Sequence, residues 1–471
     1  VYIEKDCSAE MTIPPDAQAA KSRHPMQCQI GRQIALQGAV DDYRPHVVVI
    51  FGASGNLAKR RIFPTLWRLF RDDLLPKKVN FVGYAWSSLT MLQLAQSFEK
   101  YCEVKYTEKE LFVRFMKKCA YIQGSYNETS GYKCLQKIVN VVQADADIPV
   151  NRLFYLALPP SMFVEVTAQI KEHCMDEGDS WSRIIVENIS GLETKSNVIL
   201  SDHLAHMFKP NQIYRVNHYL CKDIVPTFLI LRFGNALFDA SWNRNSIESV
   251  AIMHKEKSDM TASSACTGQY DIIRDIMSNH LLQILSLVAI EQPASLCADD
   301  VRDEKVKVMK AIGEISTQDV VLGQYQTENG SAKNGFLVNR NMPTFAQAVV
   351  RIKNDRWDGV PFILSSGTAM NETSIEVRVL FKPIKEGDKV TRVELVIGVH
   401  PNDIVRLKMQ TEISGMEAMI EDAELNVNYA REDKITRSQE PYERLFIDVF
   451  KGSQINLVRE DELNCAWRYV H

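Results

Sequence analysis

Two periods of apolar residues run through this chain and divide it. The run Val47-Val48-Val49-Ile50-Phe51 is continuous and β-branched, the pattern of a strand buried on both faces of a parallel sheet. It enters Gly52-Ala53-Ser54-Gly55-Asn56-Leu57-Ala58, after which apolar positions recur at helical spacing to about Leu75. Val79-Asn80-Phe81-Val82-Gly83-Tyr84-Ala85 predicts a second strand, and residues 91–142 read as rich in amphipathic helix. Arg152-Leu153-Phe154-Tyr155-Leu156-Ala157-Leu158-Pro159-Pro160 gives a third strand with a proline stop, and Ile184-Ile185-Val186-Glu187-Asn188 a fourth. Strands alternating with helices imply a doubly wound sheet, with ligands at the strand C-termini. Beyond Pro293 the pattern shortens: 320–325, 345–352, 375–381, 393–399 and 404–409, with 247–252, predict a large, mainly antiparallel sheet packed by helices such as 442–450. The expected fold class is α/β plus α+β: a Rossmann-like domain at 46–215, then an α+β substrate and dimerisation domain at 216–471. Residues 1–45, polar and irregular around Pro14-Pro15, predict a disordered extension.

One helical stretch carries candidate chemistry. In Tyr270-Asp271-Ile272-Ile273-Arg274-Asp275-Ile276-Met277-Ser278-Asn279-His280, positions 273, 277, 280, 284 and 287 form an apolar stripe, which places His280 against a core near Asp275 and Asn279. Such a histidine is either a satisfied core residue or a general base in a pocket wall. The 52–58 turn offers a second site. Strand, glycine turn and helix are the setting in which Gly52 permits the tight turn, Gly55 lets a pyrophosphate approach, and the helix N-terminus supplies free N–H groups. An NAD enzyme would place a carboxylate at the end of the second strand. Here Trp86-Ser87-Ser88 follows, and Arg61 reads either as a partner for a 2′-phosphate or as a solvated arginine. His218 and Lys222 share a helical face, with the Tyr219 hydroxyl between them, which is either a compact phosphate acceptor or ordinary surface polarity.

The 471 residues are 45% hydrophobic and 24% charged, with a net charge of −4, which gives no reason to expect nucleic acid or an acidic membrane surface as partner. No apolar run approaches the length of a membrane span. The ten scattered cysteines show no Cys-x-x-Cys pair and no metal spacing, as expected of reduced thiols in a cytoplasmic protein without a metal site.

The glycine turn, the 156–160 run, His218-Tyr219-Leu220-Cys221-Lys222, the His280 stretch and Asp299-Asp300-Val301-Arg302-Asp303-Glu304-Lys305-Val306 occur in the order found in glucose-6-phosphate dehydrogenases. From about His46 to Arg468 the chain resembles that family. The resemblance implies oxidation of glucose 6-phosphate, or a related sugar phosphate, to its lactone with NADP+, in the oxidative pentose phosphate pathway. It implies His280 as base, Asp275 and Glu256 as sugar contacts, and His218, Tyr219 and Lys222 as the phosphate anchor. It further implies Gly52, Ser54, Gly55, Asn56, Leu57, Arg61 and Pro159 as cofactor-binding positions. The match also exposes departures. Asn217 stands where the family has an aspartate behind the histidine, and Asn188 where it has a lysine touching substrate and cofactor, with Ile189, Ser190 and Leu192 altering the same loop. Trp86 replaces an arginine that grips the 2′-phosphate, and Thr368 and Thr373 replace basic residues near the substrate phosphate. Residues 257–264 lack the family's glycine- and aromatic-rich run, and Asn56 replaces an aspartate. These changes predict weakened NADP binding and a weak or inactive enzyme. The alternatives are a competent dehydrogenase with a rebuilt site, or a non-catalytic paralogue that pairs with an active one. A homodimer or tetramer is expected. Arg378, Lys408 and Trp467 suit the structural second NADP of some members, whereas Ser374 and Gly398 replace basic residues there and argue against it.

Overall fold

The computed structural model describes residues 43–469 apart from 176–177, 188–193, 218, 223, 258–271, 325–342, 387–388, 402–403, 414–418 and 429–439. The extension expected over 1–45, Asn188 with its loop, His218 and the altered 258–264 segment thus lie wholly or almost wholly outside the described residues.

Six parallel strands form the first sheet: β1 (His46–Phe51), β2 (Val79–Ala85), β3 (Cys119–Gln123), β4 (Asn151–Leu156), β5 (Ser182–Val186) and β6 (Ile213–Arg215), in the order β3-β2-β1-β4-β5-β6. Every residue of β1 and β4 is buried, as the unbroken apolar runs require of central strands covered on both faces. The order reverses between β1 and β4, where neighbouring crossovers part and a crevice opens at the strand C-termini.

Residues 91–142 are rich in helix, as expected, and also hold one strand that the pattern did not give. Helices Met91–Glu99 and Lys109–Lys117, strand β3 and the start of helix Thr129–Ala146 occupy them. β3 pairs on one side only and fully buries Ile122 alone, so it never shows the apolar run that marks β1.

The second sheet has eight strands: β7 (Ile247–Lys255), β8 (Val320–Gly323), β9 (Phe345–Arg351), β10 (Pro361–Gly367), β11 (Ser374–Phe381), β14 (Glu394–His400), β15 (Ile404–Ile413) and β16 (Met419–Asn428). A two-stranded ribbon of β12 (Ile384–Glu386) and β13 (Lys389–Thr391) stands apart. The order is β16-β15-β14-β11-β7-β10-β9-β8, antiparallel throughout except for β7 beside β10. One face alternates Val250, Ile252, Val377 and Val379 into a core shared with the His280 helix.

That helix departs from the expected amphipathic α-helix. Ile272–Leu281 is π-helical and Leu282–Ala289 is α-helical. All residues from Ile276 to Ala289 are buried, so there is no single stripe; the element is enclosed by the sheet on one side and helices on the other. π segments are rare, and they favour functional sites because they turn side chains off the α-helical register.

The two halves interlock. Helix Pro441–Lys451, expected to pack the second sheet, instead covers the first through Leu445, Phe446, Val449 and Phe450. Phe446 stacks on Tyr155 with ring centroids 5.7 Å apart, and Arg68 binds Glu443 and Glu440, each at 2.5 Å.

Candidate functional site

The crevice over β1 and β4 is shaped by the glycine turn. Gly52 adopts φ +79°, and a Cβ there would fall 2.3 Å from the Ala157 carbonyl oxygen, so only glycine fits. Gly55 N–H closes the turn onto Gly52 O at 2.8 Å. A cleft of about 470 Å³ opens above, lined by Gly52, Ser54, Gly55, Trp86, Tyr126 and Pro159 among others. A glycine turn against an open cleft at the switch point fits a dinucleotide. Asn56 and Leu57 lead from this turn into the π-helical segment Ala58–Ile62.

At the end of β2, the Ser54 and Ser87 hydroxyls lie 2.9 Å apart, and Trp86 is 74% exposed. Among the described residues lining this cleft no basic side chain occurs, and Glu165 brings a negative charge. Arg60 lies over the Tyr101 ring at 5.5 Å, whereas the Arg61 charge acts on Tyr442. Tyr442 and Tyr155 both meet Glu187 at the C-terminal end of β5, and burial, reinforced by the Glu187 charge, pushes both phenols up. Neither tyrosine was legible as a site residue, because strand, strand end and C-terminal helix meet only in space.

The second constellation gathers where β6 ends. Asn217, 1% exposed, accepts the Tyr219 N–H on Oδ1 at 3.1 Å and donates from Nδ2 to Asn279 O at 3.2 Å. These two anchors fix the amide, so it is Oδ1 that faces His280 Nδ1, at 2.9 Å. An acceptor there holds the proton on Nδ1 and leaves Nε2 with its lone pair, the tautomer a general base needs. Tyr219 packs edge-on to His280 with centroids 4.3 Å apart.

Glu256 follows β7, its backbone tied to Gly367 and Met370, and its charge acts on both Tyr219 and His254. The Tyr219 phenol is pushed up, by burial first and then by Glu256. Lys222 Nζ donates to Val399 O at 3.1 Å and lies beside His400, whose pKa is lowered by burial and then by that cation. Asp275 is part-buried, five residues before His280 on the π-helical segment. The structure therefore brings Asn217, Tyr219, Glu256 and His280 together.

Thr368 is buried and donates to Thr344 O at 3.3 Å, and Thr373 Oγ1 accepts the Lys257 N–H at 3.1 Å; both hydroxyls serve local backbone. Further off, Arg378 pairs with Glu376 and Glu394, Lys408 pairs with Glu394, and Trp467 is buried.

A Rossmann-like NAD-binding domain joined to a mostly antiparallel sheet, with a buried histidine where they meet, defines a two-domain dehydrogenase architecture. Residues 49–226 match the NAD-binding domain of glucose-6-phosphate dehydrogenase, and residues 229–471 match its C-terminal domain. The chain is 48% identical to glucose-6-phosphate 1-dehydrogenase of Caenorhabditis elegans over 442 residues, covering 90% of this chain and 84% of that protein. It is 44% identical to that of Drosophila melanogaster over 438 residues, covering 90% and 83%. A solved glucose-6-phosphate dehydrogenase in complex with its substrate glucose-6-phosphate superposes with a TM-score of 0.84 at 36% identity, covering 90% of each chain. The Mycobacterium avium enzyme gives 0.77 at 27%, covering 91% of each. The chain belongs to the glucose-6-phosphate dehydrogenase family.

Proposed function

We propose that this protein oxidises the C1 hydroxyl of glucose 6-phosphate with NADP+ as acceptor, at a rate below that of relatives with a carboxylate behind the base. The observation that carries this reading is the 2.9 Å contact of His280 Nδ1 with Asn217 Oδ1. It leaves Nε2 to take the C1 hydroxyl proton. Replacing the carboxylate of a catalytic triad by an amide costs about 10⁴-fold when the histidine is left in the wrong tautomer. Here the amide is anchored with its oxygen toward the ring, so the tautomer is kept and only the charge that would stabilise the imidazolium is lost.

Tyr219 and Lys222, with His218, hold the phosphate, and Glu256 and Asp275 hold the sugar. Gly52, Ser54, Gly55, Asn56, Leu57 and Pro159 would hold NADP+, which when bound supplies the hydride acceptor. Asn188, Trp86 and the two threonines support a weaker grip on both ligands, because a hydrogen bond to a charged group contributes about 1.5–3 kcal/mol and neutral substitutes contribute less. Self-association through the second sheet belongs to the same reading. Along β11 Glu376 and Arg378 alternate with the buried Val377 and Val379, so their paired charges lie on the face away from the core.

The test is NADP+ reduction by purified protein at saturating glucose 6-phosphate, beside His280→Asn. Turnover that disappears in the variant is the expected result. Equal rates in both, or none in a folded wild-type sample, would overturn the reading.

A further inference from the structure

Behind Tyr219 lies a second histidine that neither base nor anchor accounts for. His254 sits on β7, 5% exposed, and pairs in register with Ser366 of β10. Its Nε2 is 3.2 Å from the Tyr219 hydroxyl and its Nδ1 is 3.1 Å from Ser366 Oγ. The three side chains form a file from the sheet interior to the pocket.

A neutral imidazole has one donor and one acceptor, and each hydroxyl can do both, so the file has two polarities. In one, Nδ1–H donates to Ser366 and Nε2 accepts the tyrosine proton, so Tyr219 turns only lone pairs outward. In the other, Ser366 donates to Nδ1 and Nε2–H donates to the tyrosine oxygen. The tyrosine proton then points away from the ring, toward the pocket. An anion only accepts, so it selects the second polarity. Burial lowers the His254 pKa and favours the neutral ring, with the Glu256 charge opposing this and His400 adding to it. The choice between tautomers is therefore the one that matters.

We propose that His254, backed by Ser366, is a positioning residue that fixes the Tyr219 hydroxyl with its proton toward the substrate phosphate. This rests on the reading of Tyr219 as a phosphate donor. Chains of hydrogen bonds polarise one another, so the inward donation also strengthens the outward one.

Two measurements test it. The first is nitrogen NMR on protein labelled in its histidines, with His254 assigned by the signal lost in His254→Gln. With glucose 6-phosphate bound, Nε2 should carry the proton and Nδ1 should not; a protonated Nδ1 in the complex overturns the proposal. The second is calorimetric titration with glucose 6-phosphate, each variant first checked for wild-type thermal melting. His254→Phe should weaken binding about three- to tenfold, the range of one neutral hydrogen bond. His254→Gln, whose amide can still donate to Tyr219, should restore most of it. Because His254 acts through Tyr219, the double variant His254→Phe/Tyr219→Phe should bind no more weakly than Tyr219→Phe alone. Unchanged affinity in His254→Phe, or additive losses in the double variant, overturns the positioning role while the anchor stands. If Tyr219→Phe itself binds like wild type, the anchor reading fails and this inference falls with it.

Discussion

Asn217→Asp is the substitution that most sharply separates charge from geometry at His280. The carboxylate would keep the acceptor at the Oδ1 position, so the Tyr219 N–H and the His280 Nδ1–H both retain their partner. What changes is the charge facing the ring as it becomes an imidazolium. A neutral hydrogen bond contributes about 1 kcal/mol and one to a charged group about 1.5–3, a difference of about 0.5–2 kcal/mol, whose midpoint is about tenfold in rate. The second oxygen would take the place of Nδ2, which now donates to Asn279 O at 3.2 Å, and would meet that carbonyl as a second acceptor. With Asn217 1% exposed, the variant also buries an anion. The expected outcome is a kcat about tenfold higher together with a lower Tm. Steady-state NADP+ reduction and thermal unfolding on the same samples read both. A kcat unchanged or lowered in a folded variant would show that the missing carboxylate does not limit this site.

Other outcomes follow from the same contacts. Trp86→Arg should tighten binding of adenosine 2′,5′-bisphosphate about tenfold or more and leave 5′-AMP unaffected, because it puts a cation where the described cleft lining has none; tryptophan fluorescence or calorimetry reads it. His254, His203 and His400 all have pKa values lowered by burial from 6.5. The unfolded chain therefore binds more protons below that pH, so Tm should fall as pH drops through 6.5 and the fall should be shallower in His254→Phe. Lys305 and Glu462, 1% and 0% exposed, pair at 2.7 Å between helices Ala298–Ala311 and Glu460–Trp467. Glu462→Ala should cost about 3–5 kcal/mol in denaturant unfolding, and Lys305→Met/Glu462→Leu should recover most of it.

Much of this was legible along the chain. Val47 to Phe51 read as a buried parallel strand, and the Gly52–Gly55 turn after it as a turn of the dinucleotide-binding kind, because continuous burial and a tight turn leave direct traces in residue type. β3, β6, β10 and β16 left weaker ones. β6 has three residues, β10 opens on Pro361, and β3 and β16 lie at sheet edges where one side needs no apolar partner. His280 was visible as a buried histidine, but its π-helical setting was not, since apolar residues on every side erase the period that tells one helix type from another. The orientation of Asn217 and the file of Tyr219, His254 and Ser366 were invisible for a different reason. They join residues up to 147 positions apart, 219 to 366, which meet only through tertiary packing, with sheet register bringing His254 to Ser366.

The most direct test of the account is turnover of glucose 6-phosphate deuterated at C1, with wild type beside His280→Asn. Deuterium recovered on the reduced nicotinamide from wild type, and lost with the histidine, is the predicted result. Folded wild-type protein that binds both ligands yet transfers no deuterium, or a variant that transfers it as fast, would contradict the assignment of His280 as the base.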